Sequence, residues 1–211
     1  YVNEPGLADS IRKVYGKHLF FSTDISDSVE GADVIFLCLP TPPNRDGSTN
    51  LTFYDAALED IAKSLQQRKD MRRVVVVNKS TVPIGTASHL KSVLDRHKVE
   101  NFGVASNPEF LAEGTAVPEA RKPDRIIVGC NDDQDFILLQ QVYSKFVHHV
   151  QTKYIETSPE TAEAIKYVAN TMLLTYISFW NGVGAKLGEN IANVRIDDLR
   201  LGVTADKRIS T

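Results

Sequence analysis

The sequence predicts an α/β fold, a doubly wound parallel sheet followed by a helical unit, on three observations. From Phe20 to about Ile155, short β-branched runs alternate with amphipathic stretches, the pattern of parallel strands joined by crossover helices. Residues 74–77 are four consecutive valines, as expected of a strand covered on both faces. After Ile155 the period changes for good, and a proline-free apolar stripe begins behind Ser158-Pro159, an N-cap followed by proline at the first helical position.

Taken in order, strands are expected at residues 19–22, 34–39, 74–78, 102–106, 125–129 and 153–155. The stretch 40–49, Pro-Thr-Pro-Pro-Asn-Arg-Asp-Gly-Ser-Thr, is rich in turn formers and reads as a surface connection. Phe53, Ala57, Ile61 and Leu65 recur every four residues, and Leu90, Val93 and Leu94 mark a shorter helix; these are packing faces. A long helix is expected over 159–187, carrying Ile165, Ala169, Met172, Leu173, Ile177, Trp180, Val183 and Leu187. At about 40 Å it exceeds what one small sheet needs and so predicts a domain link or a subunit interface. A short helix is expected over 196–201. Two domains follow, 1–156 and 157–211.

Composition narrows the function. A length of 211 residues with 42% hydrophobic content suits one buried core plus an appended unit. The 24 Lys+Arg against 27 Asp+Glu give a net charge of −3, which supplies no field for nucleic acid. The longest apolar run, 34–39, is far short of the roughly 20 residues a membrane helix needs, and the opening residues do not resemble a signal peptide. The expected partner list therefore holds neither nucleic acid nor membrane, and the expected compartment is the cytoplasm. Cys38 and Cys130 sit in or beside β runs, without neighbouring His or Lys, and read as reduced, buried, structural thiols. The five histidines show no metal-ligand spacing with acids or cysteines, so no metal is assigned. Gly182-Val-Gly184-Ala-Lys-Leu-Gly188 follows a helix and has the wrong spacing for a phosphate loop; its glycines read as helix-packing residues.

Two polar segments lie where predicted strands run out, Lys79-Ser-Thr-Val-Pro-Ile-Gly-Thr86 and Ser106-Asn-Pro-Glu-Phe-Leu-Ala-Glu-Gly114. In open α/β sheets ligands settle beyond the carboxyl ends of the strands, so both segments face one mouth. Glu109, after Pro108, is a candidate general base. If 109–113 form a helical turn, Glu113 shares its face and one pKa rises; the blander reading is two solvated acids. The Thr81 hydroxyl can hold a water or merely cap the strand end. Lys166 and Asn170, four apart on the long helix, can grip one oxygen or belong to a solvated face. The apolar residues around them argue for the former.

Both segments, with Glu163-Ala-Ile-Lys-Tyr-Val-Ala-Asn170, resemble the UDP-glucose/GDP-mannose dehydrogenase family over nearly the whole chain, in wording closest to its UDP-glucose 6-dehydrogenase branch. The resemblance implies an incomplete Rossmann-like domain followed by a central dimerisation domain, NAD as cofactor, and a nucleotide sugar, UDP-glucose first, as substrate. It implies oxidation of the C6 alcohol to a carboxylate by two NAD in sequence, through a cysteine-held thiohemiacetal and thioester, in a homodimer built on the long helix. It assigns catalysis to Thr81, Glu109, Lys166 and Asn170, and the cofactor's surroundings to Thr41, Pro42, Thr81 and Glu113. Substrate contacts fall to Glu109, Phe110, Leu111, Ala112, Glu113, Lys166, Asn170 and Arg208. Neither the family's glycine-rich opening loop nor its nucleophilic cysteine loop occurs in these residues, so the chain is expected to be an internal fragment that does not turn over alone. Two rivals stay open: a β-hydroxyacid dehydrogenase, with a similarly spaced lysine and asparagine, and a non-catalytic dimerisation module.

Overall fold

A computed structural model describes residues 4–206, 208 and 209. The opening residues Tyr1, Val2 and Asn3, Lys207 beside Arg208, and residues 210–211 lie outside that description. The chain divides into two compact units, Tyr1–Lys166 and Tyr167–Thr211, with the division falling inside one helix.

The first unit runs α1 (Leu7–Val14), α2 (Ile25–Glu30), β1 (Val34–Leu37), α3 (Thr52–Gln66), β2 (Val74–Asn78), α4 (Thr86–Arg96), β3 (Phe102–Ser106), α5 (Ala116–Arg121), β4 (Arg125–Cys130), α6 (Asp133–Val142), α7 (Ser144–Val147) and β5 (Lys153–Thr157). It ends in the first turns of α8 (Pro159–Phe179). The strands form one sheet in the order β1-β2-β3-β4-β5. All five residues of β2 are buried, as the valine run predicts. On one face Val74 and Val76 pack against Tyr54, Leu58, Ile61 and Leu65 of α3 and Leu90, Val93 and Leu94 of α4. On the other, Val75, Val77, Ala105 and Val128 meet Leu139 of α6 and Phe146 of α7. Each fully buried valine or leucine contributes about 1.5–3 kcal/mol. The α3 stripe is offset from the expected one, since Phe53 is exposed and Tyr54 is fully buried, with its hydroxyl bonded to Asn78 Oδ1 at 2.6 Å.

Three expectations about the sheet are corrected. Residues 19–22 form no strand: Leu19 makes only an isolated bridge with Tyr15, while Phe20 and Phe21 are exposed. A β-branched or aromatic run becomes a strand only beside an edge to pair with, and among the described residues none faces this run. The sheet is also mixed, because β4 runs antiparallel to β3, with Ala105 opposite Cys130 and Ser106 opposite Gly129. The connection from β3 holds only the short α5 and starts β4 at the end where β3 finishes. The thiols differ too, since Cys130 is buried and Cys38, just past β1, is exposed. Desolvation pushes the Cys130 thiol up to about 12.

Ser158 caps α8 as expected, its hydroxyl oxygen accepting the Thr161 N–H at 3.2 Å. Gly129 lets that helix start lie against β4, since a Cβ there would meet Pro159 Cα at 2.7 Å.

The second unit continues α8 to Phe179, passes through a π-helical segment (Trp180–Gly184) into α9 (Ala185–Asn190), and ends with α10 (Ile196–Thr204). The expected single helix over 159–187 is therefore interrupted by a wider turn at Trp180. Two of the three glycines do serve packing, since a Cβ on Gly184 would strike the Trp180 ring at 2.8 Å and one on Gly188 would strike Ile196 at 2.5 Å, whereas one on Gly182 would meet nothing within 4 Å. The apolar residues Val168, Met172, Leu173, Ile177 and Val183 are exposed. No described helix is long and apolar enough to cross a membrane.

Candidate functional site

The carboxyl ends of β1, β2 and β3 converge, and backbone and side-chain bonds stitch them together. Leu37 O accepts the N–H groups of Lys79 and Ser80 at 3.1 and 3.0 Å. Ser80 Oγ accepts the Leu39 N–H at 2.6 Å, and Thr41 Oγ1 donates to Thr81 O at 2.9 Å. Thr41 and Thr81, predicted in one neighbourhood, are brought together, though through the Thr81 carbonyl, so its hydroxyl is not consumed by this bond. Pro42 follows in the exposed connection, where Pro43 bridges to Thr49. The loop after Thr81 turns into α4 at Gly85, whose φ of 96° is a conformation only glycine adopts cheaply.

Asn107 organises the next shelf. It is 1% exposed; its Oδ1 accepts Lys79 Nζ at 2.9 Å and the Tyr143 hydroxyl, and its Nδ2 donates to Ile127 O at 2.6 Å. Lys79 is half-buried beside this neutral acceptor. Its ammonium is lowered to about 8, chiefly by desolvation and further by Lys166, while Cys38 and Glu109 oppose the shift. The same packing pushes the Tyr143 phenol up to about 12. The expectation that no Lys adjoins a cysteine is corrected: partial burial raises the Cys38 thiol and the field of Lys79 opposes that rise.

Glu109 and Lys166 meet as predicted. Lys166 Nζ donates to Glu109 Oε1 at 2.9 Å, with the lysine side chain 9% and the glutamate side chain 34% exposed. The solvated-face reading fails for Lys166. Glu113 does not share Glu109's face, because residues 109–113 form no helical turn. Glu109 Oε2 instead accepts the Leu111 N–H at 2.6 Å, closing a tight local bend, and the Ala112 N–H goes to Glu119 at 2.7 Å. Glu113 is exposed. The Phe110 ring meets two cations, with Arg125 Cζ 4.0 Å and Lys166 Nζ 5.3 Å from its centroid, an arrangement that favours both charges. A cavity of about 350 Å³ opens here, lined by Lys79, Glu109, Phe110, Leu111, Arg125 and Tyr143 among others.

Asn170 and Arg208 belong to the second unit. Asn170 is exposed on α8, and the Arg208 guanidinium pairs with Asp206 at 2.6 Å. Lys79, Asn107, Arg125, Tyr143 and Glu163 were not singled out by sequence reasoning. The first two stand inside the quoted strand-end segments and Glu163 stands three before Lys166, so their signal was present. Arg125 and Tyr143 carried none, since their approach depends on the antiparallel turn of β4.

These strand ends fit one flank of a dinucleotide. They offer neutral hydroxyl and backbone groups at Thr41 and Thr81, whereas no glycine-rich strand-to-helix turn occurs among the described residues.

Relatives agree with this geometry. Residues 1–147 match the family described as "UDP-glucose/GDP-mannose dehydrogenase family, NAD binding domain". The chain is 37% identical to the UDP-glucose 6-dehydrogenase of Pseudomonas aeruginosa, covering 100% of this chain and 46% of that protein. It is 34% identical to the UDP-glucose 6-dehydrogenase TuaD of Bacillus subtilis, over 99% of this chain and 43% of the relative. Among solved structures, a UDP-glucose dehydrogenase from Pyrobaculum islandicum superposes with a TM-score of 0.86 at 34% identity, covering 99% of this chain and 47% of its own. A GDP-mannose dehydrogenase from Pseudomonas aeruginosa gives 0.86 at 27% identity, over 96% and 46%. The chain thus spans about half the length of these relatives. With the sheet, the strand-end segments and the match over residues 1–147 in agreement, the chain belongs to the UDP-glucose/GDP-mannose dehydrogenase family.

Proposed function

We propose that the protein bearing this chain is an NAD-dependent nucleotide-sugar dehydrogenase that oxidises the C6 alcohol of UDP-glucose to the carboxylate. The observation that carries this reading is the Lys166–Glu109 ion pair at the end of β3, beside a cavity also lined by Lys79 and Arg125. The oxidation removes two hydrides from C6, which two NAD, bound in sequence, would accept, with water supplying the second carboxylate oxygen. Lys166 then has one task above the rest: its ammonium stabilises the oxygen that gathers negative charge as the hydride departs. Glu109 holds that ammonium in place and is placed to take or return a proton at the same oxygen. The Thr81 hydroxyl, with Thr41 fixing its backbone, orients the water needed at the acid-forming step, and Asn170 adds a neutral donor. Thr41, Pro42, Thr81 and Glu113 flank the cofactor. Phe110, Leu111, Ala112 and Glu113 line the sugar nucleotide, and Arg208 reaches substrate held by a second copy.

In this reading residues 1–156 are the partial NAD-binding domain and 157–211 the central domain. The exposed apolar residues of α8 support a homodimer formed through that helix. Action in the cytoplasm accords with two free thiols.

The test is ligand titration followed by amide and lysine-methylene NMR. UDP-glucose is expected to shift Glu109, Phe110 and Lys166, with GDP-mannose weaker and a 3-hydroxyacid silent. Lys166→Ala should weaken UDP-glucose binding at least about tenfold, the loss of one charge-assisted bond. Shifts confined to other parts of the chain, or a stronger response to the 3-hydroxyacid, would overturn the proposal.

A further inference from the structure

Glu163 is a carboxylate that the chemistry above leaves unused, although it is 3% exposed. Its Oε2 accepts the Gly85 N–H at 2.7 Å. Its Oε1 accepts the Ala87 N–H at 2.9 Å and the Ser106 hydroxyl at 2.9 Å. Among the described residues no lysine or arginine pairs with it; the two N–H groups at the start of α4, which can only donate, and one hydroxyl satisfy it instead. A carboxylate is favoured at a helix N-terminus.

The three contacts tie α8 to two other segments. Gly85 closes the loop that carries Thr81. Ser106 ends β3 and hands the chain to Asn107, Pro108 and Glu109, where proline restricts the backbone. Glu163 itself stands one helical turn before Lys166 on α8. From the spread of these bonds, we infer that Glu163 is a positioning residue that sets the separation of Lys166 and Glu109 and the seat of Thr81's loop. This rests on the reading that those three residues serve one site. An apolar residue of similar size could fill the space, but it could not register three donors from two other segments at once. Thr81 and Glu109 each lie within four positions of a group Glu163 holds, and Lys166 is three positions from Glu163 itself, so a displaced carboxylate has little slack to absorb before Lys166 shifts against Glu109.

The test uses the folded chain and Glu163→Gln, which keeps the shape but turns one acceptor into a donor facing an N–H. Amide exchange at Gly85 and Ala87 should quicken about tenfold, as local opening becomes easier. The Lys166 side-chain resonances should move. Glu30→Gln is the control, since Glu30 likewise accepts two backbone N–H groups, from Lys69 and Asp70, at the opposite end of β2. It should lower the melting temperature while leaving Lys166 still. A Glu163→Gln protein that loses stability yet keeps the Lys166 and Glu109 resonances of the parent overturns the inference. If Glu163→Gln does not fold, Ser106→Ala removes one of the three bonds. A smaller Lys166 shift in the same direction then supports the inference and an unmoved Lys166 overturns it. None of these readings involves a ligand, so failure here is distinct from failure of UDP-glucose to bind.

Discussion

The two ends of β2 are opposites in charge management. At the amino end Arg72 and Arg73 meet four carboxylates: Arg72 bonds Asp70 and Asp33, and Arg73 bonds Asp132 and Asp135 at 2.9 and 2.7 Å. At the carboxyl end Lys79, Lys166 and Arg125 have, among the described residues, one ion-pair partner, Glu109. Lys79 is held by a neutral amide and Arg125 by a ring face. The first end is a clasp in which each arginine has a carboxylate, buried Arg68 included through Asp70 at 3.2 Å. The second keeps positive charge in reserve beside a cavity, an arrangement that stability alone does not call for and that an anionic ligand would use. The difference teaches where to look for function in such a sheet: at the end where charges remain unmatched.

The largest expected effect would break the clasp. Gly103 lies under Asp135, and a Cβ there would stand 2.0 Å from its Oδ1. Gly103→Ala must push the carboxylate off Arg73 or move the strand, and a loss of about 4 kcal/mol is expected from overpacking plus a broken buried pair. Urea unfolding measures it; a loss under about 1 kcal/mol would mean the amino end yields easily and is no clasp.

The second prediction concerns the reserve. Lys79's pKa falls from 10.5 to about 8 on folding. Between those values the unfolded chain binds the extra proton, so stability rises with pH through that window; below pH 8 the burial penalty is fully present. The rise is at most about 3 kcal/mol, and raised thiols and phenols work against it above pH 9. The informative quantity is the difference between parent and Lys79→Met in melting temperature from pH 7.5 to 9.5. The parent should gain relative to the variant, and equal slopes would show that the amine is not desolvated.

How much of this was legible in the sequence follows from what periodicity encodes. The valine run of β2, the Ser158-Pro159 helix start and both strand-end segments are local signals, and all three appear where expected. Strand direction is not local: nothing in Arg125-Ile-Ile-Val-Gly-Cys130 says that it runs back along β3, yet that reversal puts Arg125 on Phe110. The 19–22 run has a strand's composition, but pairing depends on a neighbour. The supposed Glu109–Glu113 face failed for a related reason, since a carboxylate accepting the N–H two residues on bends the chain away from helix. Lys166 was legible only as one of a pair, and its burial, with Asn170 exposed four residues later, is a property of packing.

A third prediction sharpens the carboxyl end. Glu109→Gln keeps the hydrogen bond to Leu111 but leaves Lys166 without its countercharge. With Glu109 a third exposed, water shares the loss, and about 1–2 kcal/mol is expected in urea unfolding. The same variant should bind inorganic phosphate more tightly than the parent, because the reserve of positive charge grows. Unchanged phosphate affinity would show that the cations at this end do not act together.

The smallest effect tests whether the clasp is uniform. The Arg72–Asp33 contact is 2.9 Å, but its side chains are 61% and 54% exposed, so attraction is weakened by water and partly offset by the entropy of holding two long chains. Arg72 also keeps Asp70, whose carboxyl the guanidinium holds below the usual carboxylate range. Asp33→Ala should therefore cost no more than about 0.5 kcal/mol, and the difference from the parent should vanish near 1 M salt, where the screening length falls to about 3 Å. The strength of the amino end then resides in the buried Arg73–Asp135 contact under Gly103 rather than in the number of its ion pairs. If Asp33→Ala proved costlier than Glu109→Gln, solvent-exposed pairs would be setting the stability of this sheet, and unmatched charge at the opposite end could no longer be read as a mark of function.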